Sequence, residues 1–245
     1  MIQLWGLTDR GVVRKMNQDS YFISSGYPAM AIVCDGMGGA KAGNVASELA
    51  VTAAAEYLTE LESGQLLADL DLHLNRAVTL ANQAVHFRAY SDPDCWGMGT
   101  TMVAAVVTED RARLLNVGDS RAYWITPGQI RKVTRDHSVV EQLVLRGQIT
   151  PQEARVHPQR NLITRALGSE TTVQADLYDQ SLSVGETILL CSDGLSNVLT
   201  DEEIWREVTA GGGMDTCCER LLSATLQRGA PDNVTVVLIT RTEGE

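Results

Sequence analysis

Three aspartates lie at the ends of apolar runs, each beside a turn: Asp35, Asp193 and Asp232. The first two follow the runs Ala-Ile-Val-Cys and Ile-Leu-Leu-Cys-Ser, and the third precedes Asn-Val-Thr-Val-Val-Leu-Ile. Such runs predict buried strands, so each carboxylate is placed at a strand end. Carboxylates from distant segments repel one another unless a cation holds them together, and oxygen ligands suit Mg²⁺, Mn²⁺ or Ca²⁺ better than Zn²⁺. The first hypothesis is therefore a metal site.

Length and charge narrow the possible classes of protein. The chain has 245 residues, 44% of them hydrophobic, which is enough to bury the core of one large domain. No linker rich in Pro, Gly or Ser divides it, so we expect a single domain over residues 1–245. The formal net charge of -11 argues against a nucleic-acid partner, because nucleic-acid binding draws most of its affinity from Lys and Arg.

The first residues lack the basic and apolar regions of a signal peptide, and no apolar run is long enough to cross a bilayer. These features predict a cytoplasmic protein with no membrane partner. The five cysteines show no Cys-x-x-Cys spacing, so neither a disulfide framework nor a zinc ribbon is indicated. Cys34 and Cys191 fall inside apolar runs and are predicted to be buried small hydrophobes.

Predicted strands and helices alternate in blocks. Apolar residues at helical spacing predict helices at about 43–62, 66–90, 201–208 and 215–228. The predicted strands are 2–8, 21–24, 29–34, 101–108, 111–117, 121–126, 129–133, 173–177, 187–191 and 233–241. Short turns between strands favour antiparallel neighbours. Together the blocks favour a sandwich of two sheets with helices outside it over a doubly wound parallel sheet.

Two further acids stand at turns beside strands: Asp119 in Gly-Asp-Ser-Arg and Asp19 in Arg-Lys-Met-Asn-Gln-Asp. Any one of the five acids, taken singly, is explained more simply as a turn residue, because Asp hydrogen-bonds its own backbone. The five acids together are harder to explain as turn residues. If the fold brought their carboxylates together, they would raise one another's pKa values unless cations lay between them.

At this point the sequence resembles the metal-dependent protein Ser/Thr phosphatases of the PP2C family, also called PPM, in their compact bacterial form. The resemblance runs nearly end to end. The residues that carry it are Arg14 to Asp19, Asp35-Gly36-Met37-Gly38-Gly39, Gly99-Thr100-Thr101, Gly118-Asp119-Ser120-Arg121, Asp136-His137-Ser138, Leu162 to Gly168, Ser192-Asp193-Gly194-Leu195 and Asp232-Asn233. One Asp-Gly would be weak evidence, whereas these motifs in the family's order are strong evidence.

The resemblance implies a four-layer αββα sandwich, in which two antiparallel β-sheets are flanked by helices, with a small helical flap. It also implies a centre of two Mg²⁺ or Mn²⁺ ions at one end of the sheets. By position in the motifs, Asp35 bridges both ions, and the Gly36 carbonyl, Asp193 and Asp232 complete the protein ligands. Asp19 acts through water. Asp119 and Asp193 match the ligands of a weaker third ion in bacterial members.

Two dications about 3.5–4 Å apart can hold a bridging water, lower its pKa and clamp a phosphoryl group for in-line attack. On this interpretation Asp35 and Asp193 are catalytic through the ions that they hold. Arg14 matches the family's phosphate-binding Arg, since a guanidinium binds two phosphate oxygens in a fork. Alone in a loop, Arg14 would be a solvent-facing residue. Arg121 and Arg165 are predicted to tie loops together through ion pairs.

The chain departs from many relatives at the proton donor. Met37 stands where many animal and plant relatives have His, and Ala40 stands where many bacterial relatives have it. His137 is the nearest alternative, although a His in this motif more often has a structural hydrogen-bonding role; water bound at the metals is the other candidate. Gln18 replaces a Glu of many relatives, which removes one outer carboxylate and predicts weaker binding of one ion.

Other motif residues are predicted to orient the ligands without reacting. These are the turn Gly99-Thr100-Thr101 and the amides of Asn17 and Asn233. Residues 138–160 match the flap beside the catalytic cleft. Because this segment is polar and poor in core-forming residues, we expect loose packing and mobility, and contact with the protein substrate.

The leading hypothesis is a phosphatase acting on phosphoserine and phosphothreonine in protein partners, as a monomer. The alternative from a different class is a non-catalytic phosphoprotein-binding pseudophosphatase; the missing His and Gln18 support it, but no metal carboxylate is lost. Another two-metal phosphoesterase, such as a nuclease, is disfavoured by the acidic charge and by the lack of interleaved aromatic and basic residues.

Overall fold

The computed structural model describes residues 1–38 and 42–243. Its strands are β1 (Ile2–Asp9), β2 (Asp19–Ser24), β3 (Ala29–Met37), β4 (Gly99–Thr100), β5 (Met102–Val107), β6 (Arg111–Val117), β7 (Arg121–Thr126), β8 (Gln129–Lys132), β9 (Asp176–Ser181), β10 (Thr187–Cys191) and β11 (Val234–Arg241). A five-stranded sheet has the order β1-β11-β10-β7-β8. A six-stranded sheet has the order β2-β3-β5-β6-β9, with β4 paired to β3. The strand pairs in both sheets are antiparallel.

The helices are α1 (Gly43–Glu60), α2 (Ser63–Ala68), α3 (Leu70–Ser91), α4 (Val139–Leu145), α5 (Pro151–Val156), α6 (Asp193–Ser196), α7 (Asp201–Thr209) and α8 (Met214–Gln227). The four long predicted helices are therefore present. The predicted helix 66–90 is divided, because the Asp69 side chain accepts a hydrogen bond from the Leu72 amide and starts α3 there. None of the helices in the described part of the chain is long and apolar enough to cross a membrane.

Alternation along the strands builds the layers. In β3, Ala31 and Val33 contribute to the apolar cluster that also holds Ile188 and Val237 of the other sheet. Ile32 and Cys34, which point the opposite way, pack in a cluster with α1 and α3. A third cluster joins the outer face of the five-stranded sheet to α7 and α8. The four-layer αββα sandwich is thus confirmed, and buried Cys34 and Cys191 lie in its outer clusters as small hydrophobes.

The largest difference between the predicted and observed strand bounds is at β9. Residues 173–177 were predicted as a strand, but β9 begins at Asp176 and continues to Ser181, paired with β6. The carbonyl of Gln174 accepts a hydrogen bond from Arg165 Nη1 at 2.9 Å. Residue 174 lies outside the strand, and Val173 packs against the apolar cluster shared with α1 and α3 without pairing in the sheet.

The segment 138–160 contains α4 and α5, neither of which has a buried residue. Pro151 is the first residue of α5. Its fixed φ suits the first turn of a helix, and Thr150 and Glu153 form a reciprocal capping box around it. We call this segment the flap.

Candidate active site

Two of the candidate acids lie side by side at the end of the six-stranded sheet. Asp19 starts β2 and Asp35 lies near the end of β3, and the strand register pairs them directly. The Asp35 amide donates to Thr101 Oγ1 at 2.9 Å, and its carbonyl accepts from the Thr101 amide at 2.9 Å. Thr101 therefore fixes the backbone at Asp35, as expected for a residue that orients a ligand.

The five-stranded sheet brings Asp193 and Asp232 to the same end of the sandwich. Asp193 follows β10 and Asp232 precedes β11, which is the antiparallel neighbour of β10. Ser192 Oγ and Thr235 Oγ1, from these two strand ends, each donate to Asp19 Oδ2 at 2.7 Å. Asp19 thus links the two sheets through hydroxyl groups.

Close backbone contacts explain the glycines that follow Asp35 and Asp193. A Cβ at Gly36 would overlap the Gly43 carbonyl at the start of α1, and a Cβ at Gly194 would overlap the Asn233 carbonyl. Glycine is therefore required here by lack of space. These contacts bring α1 and the start of β11 against the two Asp-Gly turns.

Burial and mutual repulsion dominate the electrostatics of the acids. Burial raises the pKa of Asp19 to about 7, against the lowering effect of the Thr235 and Ser192 hydroxyls, with Asp193 and Asp232 raising it further. The pKa of Asp35 is raised well above its ordinary value by burial and then by Asp19, Asp193, Asp119 and Asp232.

The pKa values of Asp193 and Asp119 move in the same direction. Burial raises the pKa of Asp193, with a further rise from Asp232. Burial and then the charge of Asp193 raise the pKa of Asp119 well above its usual range. The acids therefore create a strongly negative potential at this site, which favours the binding of protons or of other cations.

Two carboxylate oxygens are buried without a hydrogen-bond partner among the described residues: Asp19 Oδ1 and Asp193 Oδ1. A buried, unpaired carboxylate oxygen is costly unless a cation compensates it. Residues 1–38 and 42–243 hold no group of three acidic, imidazole or thiol side chains arranged around a single ion. Mg²⁺-type ions, however, use one or two carboxylates each and keep several waters. The all-oxygen donor set fits such ions.

A cavity of about 860 Å³ opens at these acids and is lined by most of the candidate residues. They are Arg14, Asp35, Gly36, Asp119, Asp193 and Asp232. Asp19 is not among the lining residues and lies behind them, 7% exposed. A second cavity of about 390 Å³ shares Asp119 and Asp193 and extends beneath the flap.

Arg14 lies in the loop between β1 and β2, with about half of its side chain exposed, and its Nη2 donates to Asp232 Oδ2 at 2.7 Å. Asn233 holds this loop. Its Nδ2 donates to the carbonyls of Arg10 and Met16, and its Oδ1 accepts from the Gln18 amide. Asn233 therefore holds the loop that carries Arg14; its predicted role in orienting metal ligands stays a prediction.

Residues 12–228 match the family model described as protein phosphatase 2C. This chain belongs to the protein phosphatase 2C family. It is 34% identical over 236 residues to the Serine/threonine phosphatase stp of Listeria monocytogenes, covering 96% of this chain and 94% of that protein. It is 41% identical over 231 residues to the Serine/threonine protein phosphatase PstP of Mycobacterium tuberculosis, covering 94% of this chain. The match spans only 43% of the PstP length.

Solved structures show the same fold. The crystal structure of the phosphatase Stp1 from Staphylococcus aureus matches with a TM-score of 0.93 and 37% identity, over 100% of this chain and 96% of that chain. The catalytic domain of PstP in complex with two manganese ions matches with a TM-score of 0.86 and 37% identity, over 99% of both chains.

His137 of this protein phosphatase 2C chain is a buried structural residue. Its Nδ1 accepts a hydrogen bond from the Gly118 amide at 3.0 Å, and its Nε2 lies 3.2 Å from Asp176 Oδ2 and 3.0 Å from Arg165 Nη1. Burial lowers the pKa of His137. These contacts fit the structural role of the motif and support the Gly118 turn, which precedes Asp119.

The predicted ion pairs of Arg121 and Arg165 are confirmed. Arg121 Nη2 lies 2.7 Å from Asp136 Oδ2, and Arg165 Nη1 lies 2.7 Å from Asp176 Oδ1. Met37 ends β3 at the rim of the larger cavity. Gly39 and Ala40 fall outside the described residues.

Sequence reasoning assigned no role to Ser192, Thr235 or Asn197. The first two hold Asp19, and Asn197 Nδ2 donates to Asp193 Oδ2 at 2.9 Å. The sequence position of each residue could have indicated its role. Ser192 directly precedes Asp193, and Asn197 follows Asp193 by four residues, which is helical spacing. Thr235 follows Asn233 by two residues, so the alternation of a strand places the two side chains on the same side.

Proposed function

We propose that this chain is a metal-dependent protein phosphatase that hydrolyses phosphoserine and phosphothreonine monoesters in proteins. The observation that carries the proposal is the pair of buried carboxylate oxygens, Asp19 Oδ1 and Asp193 Oδ1, which lack a partner among the described residues. They belong to a set of acids with raised pKa values beside an open cavity. Family membership and the named phosphatase relatives support the reaction class.

The proposed ligands of two Mg²⁺ or Mn²⁺ ions are Asp35, the Gly36 carbonyl, Asp193 and Asp232. PstP, crystallised with two manganese ions, supports this choice of metal. When bound, the ions supply Lewis acidity that activates a water and neutralises phosphoryl charge. Asp119 and Asp193 are proposed to hold a weaker third ion, and their shared place in both cavities supports this.

Arg14 is proposed to bind the phosphoryl group. It uses one N–H on Asp232, and a guanidinium carries five, so a fork of donors remains for two phosphate oxygens. Asp19 is held in one orientation by two hydroxyls, which leaves Oδ1 to bind a water. These residues thus orient the phosphate and the water for in-line attack.

The leaving alkoxide is proposed to take its proton from water. Both ring nitrogens of His137 are engaged, with the Gly118 amide and with Asp176 and Arg165. His137 is 8% exposed and does not line the larger cavity. Met37, at the rim, has no transferable proton.

Further expectations remain proposals. We propose one domain over residues 1–245, including the flap, a monomeric state and a cytoplasmic location. The phosphoprotein substrates are proposed to be recognised by surface contacts or by the flap. The absence of nucleic-acid and membrane partners stays a prediction from charge and hydropathy.

The test is hydrolysis of a phosphoserine or phosphothreonine peptide and of a small aryl phosphate, with Mn²⁺ and with a chelator. We expect turnover of both substrates only with the metal, and its loss in Asp193→Ala. Asp179→Ala, which removes a surface ion pair with Arg111, is the matched control and should keep activity. Metal-independent turnover, or full activity of Asp193→Ala, would refute the proposal.

A further inference from the structure

A third cavity, of about 370 Å³, adjoins the larger one, and none of the described residues that line it belongs to the flap. It shares Met37 and Ile163 with the larger cavity, so the two are continuous at these side chains. The cavity beneath the flap joins the larger cavity at Asp119 and Asp193 instead, and the described residues include none that lines both it and the third cavity. The third cavity, which we call the side groove, therefore extends the active-site cleft from a different part of its rim.

Asn82 of α3 holds one wall of the side groove. It is 1% exposed, and its Nδ2 donates to the carbonyls of Glu170 and Thr171 at 3.0 and 3.2 Å. Its Oδ1 accepts from the Gly168 amide at 2.8 Å. A buried amide that is hydrogen-bonded at both ends fixes the groups that it binds, because a displacement would leave buried polar atoms unpaired. The turn 168–171, which carries Glu170, is therefore held in place before a substrate binds.

Glu170 gives the side groove an uncompensated negative charge. In the described part of the chain, the charged side chains that line the groove are Arg165 and Glu170. Arg165 is paired, since its Nη1 lies 2.7 Å from Asp176 Oδ1. The Glu170 side chain is exposed, and its carboxylate makes neither an ion pair nor a hydrogen bond with the described residues. The groove therefore offers a cationic side chain an opposite charge that no described basic residue already occupies.

The geometry of β3 places the side groove within reach of a bound substrate chain. Asp35, a proposed metal ligand, marks the phosphoryl site, and Met37 follows it by two residues in the same strand. Since a strand rises about 3.3 Å per residue, the Cα atoms of these two residues lie about 7 Å apart. An extended peptide covers the same distance in two residues. A side chain two to four positions from the phosphorylated residue can therefore enter the side groove.

We propose that the side groove is a substrate subsite, in which Glu170 selects a Lys or Arg two to four positions from the phosphorylated residue. The subsite rests on the proposed function, because the active site must hold the phosphorylated residue. Glu170 is then a specificity-determining residue, which contacts a flanking side chain and lies away from the phosphoryl group. An acidic flanking side chain meets repulsion from Glu170 and is disfavoured.

The experiment compares kcat/KM, with Mn²⁺, for phosphothreonine peptides that differ only at positions two to four from the phosphorylated residue. These positions carry Lys, Ala or Glu, first on one side of the phosphorylated residue and then on the other. In the wild type we expect Lys to be preferred over Ala by about three- to fivefold, a factor that an exposed ion pair can supply. The preference should arise from KM, be confined to one side, and weaken as salt screens the charges.

Glu170→Gln keeps the shape of the side chain and removes its charge, so the preference for Lys should disappear. Glu170→Lys should reverse the preference, so that the Glu peptide becomes the better substrate. A damaged fold lowers turnover but does not reverse a preference. Glu219→Gln is the matched control and should keep the wild-type preference, since Glu219 is an exposed acid on α8, which packs against the other sheet.

Turnover of a small aryl phosphate, which has no flanking chain, separates the subsite from the proposed function. If the wild type with Mn²⁺ hydrolyses neither this compound nor the peptides, the proposed function is overturned and the subsite with it. If the wild type hydrolyses them but shows no preference for Lys, or if the preference persists in Glu170→Gln, only the subsite is overturned. A preference for the Glu peptide in the wild type would also overturn the subsite.

Discussion

Two groups of buried aspartates lie close together in this molecule, and they differ in their partners. Asp136 is 7% exposed and accepts hydrogen bonds from Arg121 Nε and Nη2 and from Lys132 Nζ. Asp19 is equally buried, yet its partners are the hydroxyls of Ser192 and Thr235. Asp136 and Asp193 even line the same cavity. Burial alone therefore does not make a cation site. Asp136 is neutralised by Arg121 and Lys132, whereas Asp19 has only hydroxyl partners and keeps one buried carboxylate oxygen, Oδ1, without a hydrogen bond among the described residues.

The largest expected effect is on catalysis. Asp35→Asn should lower the turnover of a phosphopeptide on the order of 10³-fold, because losing a ligand removes several kcal/mol of charge stabilisation in the transition state. Asp179→Asn, in a surface pair with Arg111, should keep wild-type turnover. The measurement is the steady-state rate at saturating Mn²⁺. A rate for Asp35→Asn within a few-fold of wild type would show that the acids without a basic partner are no more important for catalysis than the ion-paired acids.

Stability should respond with opposite signs in the two groups. Asp136→Asn should cost about 3 kcal/mol of unfolding free energy, because it leaves Arg121 and Lys132 without their shared carboxylate. Asp193→Asn should stabilise the metal-free protein, since it removes repulsion with the neighbouring acids. Urea denaturation with a chelator measures both values. Destabilisation of similar size in both variants would contradict the comparison.

Metal should stabilise the fold through the unpaired acids. At a Mn²⁺ concentration about 100 times the dissociation constant, the unfolding free energy should rise by about 2.7 kcal/mol. Asp35→Asn should lose most of this gain, while Asp179→Asn should keep it. Thermal melting with and without Mn²⁺ gives the comparison. An equal rise in unfolding free energy in Asp35→Asn and Asp179→Asn would show that Mn²⁺ binds at a site that does not include Asp35.

The metal-free protein should lose stability as the pH rises. The pKa of Asp19 is about 7 in the folded protein and near 4 in an unfolded chain, so the folded state binds the extra proton. The stabilisation is complete below the unfolded pKa and is lost as the pH rises through 7. Between pH 6 and pH 8 the loss should be about 1 kcal/mol.

Chelated protein in urea at several pH values provides this measurement. Asp19→Asn should reduce the dependence without removing it, because the pKa values of Asp35 and Asp119 are also raised. Saturating Mn²⁺ should reduce it in the wild type by replacing the protons. A metal-free stability that stayed level or rose from pH 6 to pH 8 would contradict the raised pKa of Asp19.

Much of the fold was predictable from local pattern. The apolar runs that end at Asp35 and precede Asp232 are strands, and the helical spacing around Ala46 and Ala50 produced α1. The pattern missed the two-residue strand β4 and the four-residue helix α6, because each is too short to show a period. The start of β9 was misplaced because apolar Val173 packs against the cluster shared with α1 and α3 without being part of the strand, which begins at Asp176.

The identity of the acids in the candidate site was also predictable, since motif order and residue type are properties of the chain itself. The sequence by itself therefore determined the family, the layers and the set Asp19, Asp35, Asp119, Asp193 and Asp232. Only the tertiary structure decided which oxygens remain unpaired, that Asp232 already binds Arg14, and that Asn82 holds the turn that carries Glu170. The physical reason is the distance along the chain over which each kind of interaction acts. Strand and helix patterns repeat over a few residues, whereas pairing, burial and repulsion depend on groups that are far apart in the chain and meet only after folding.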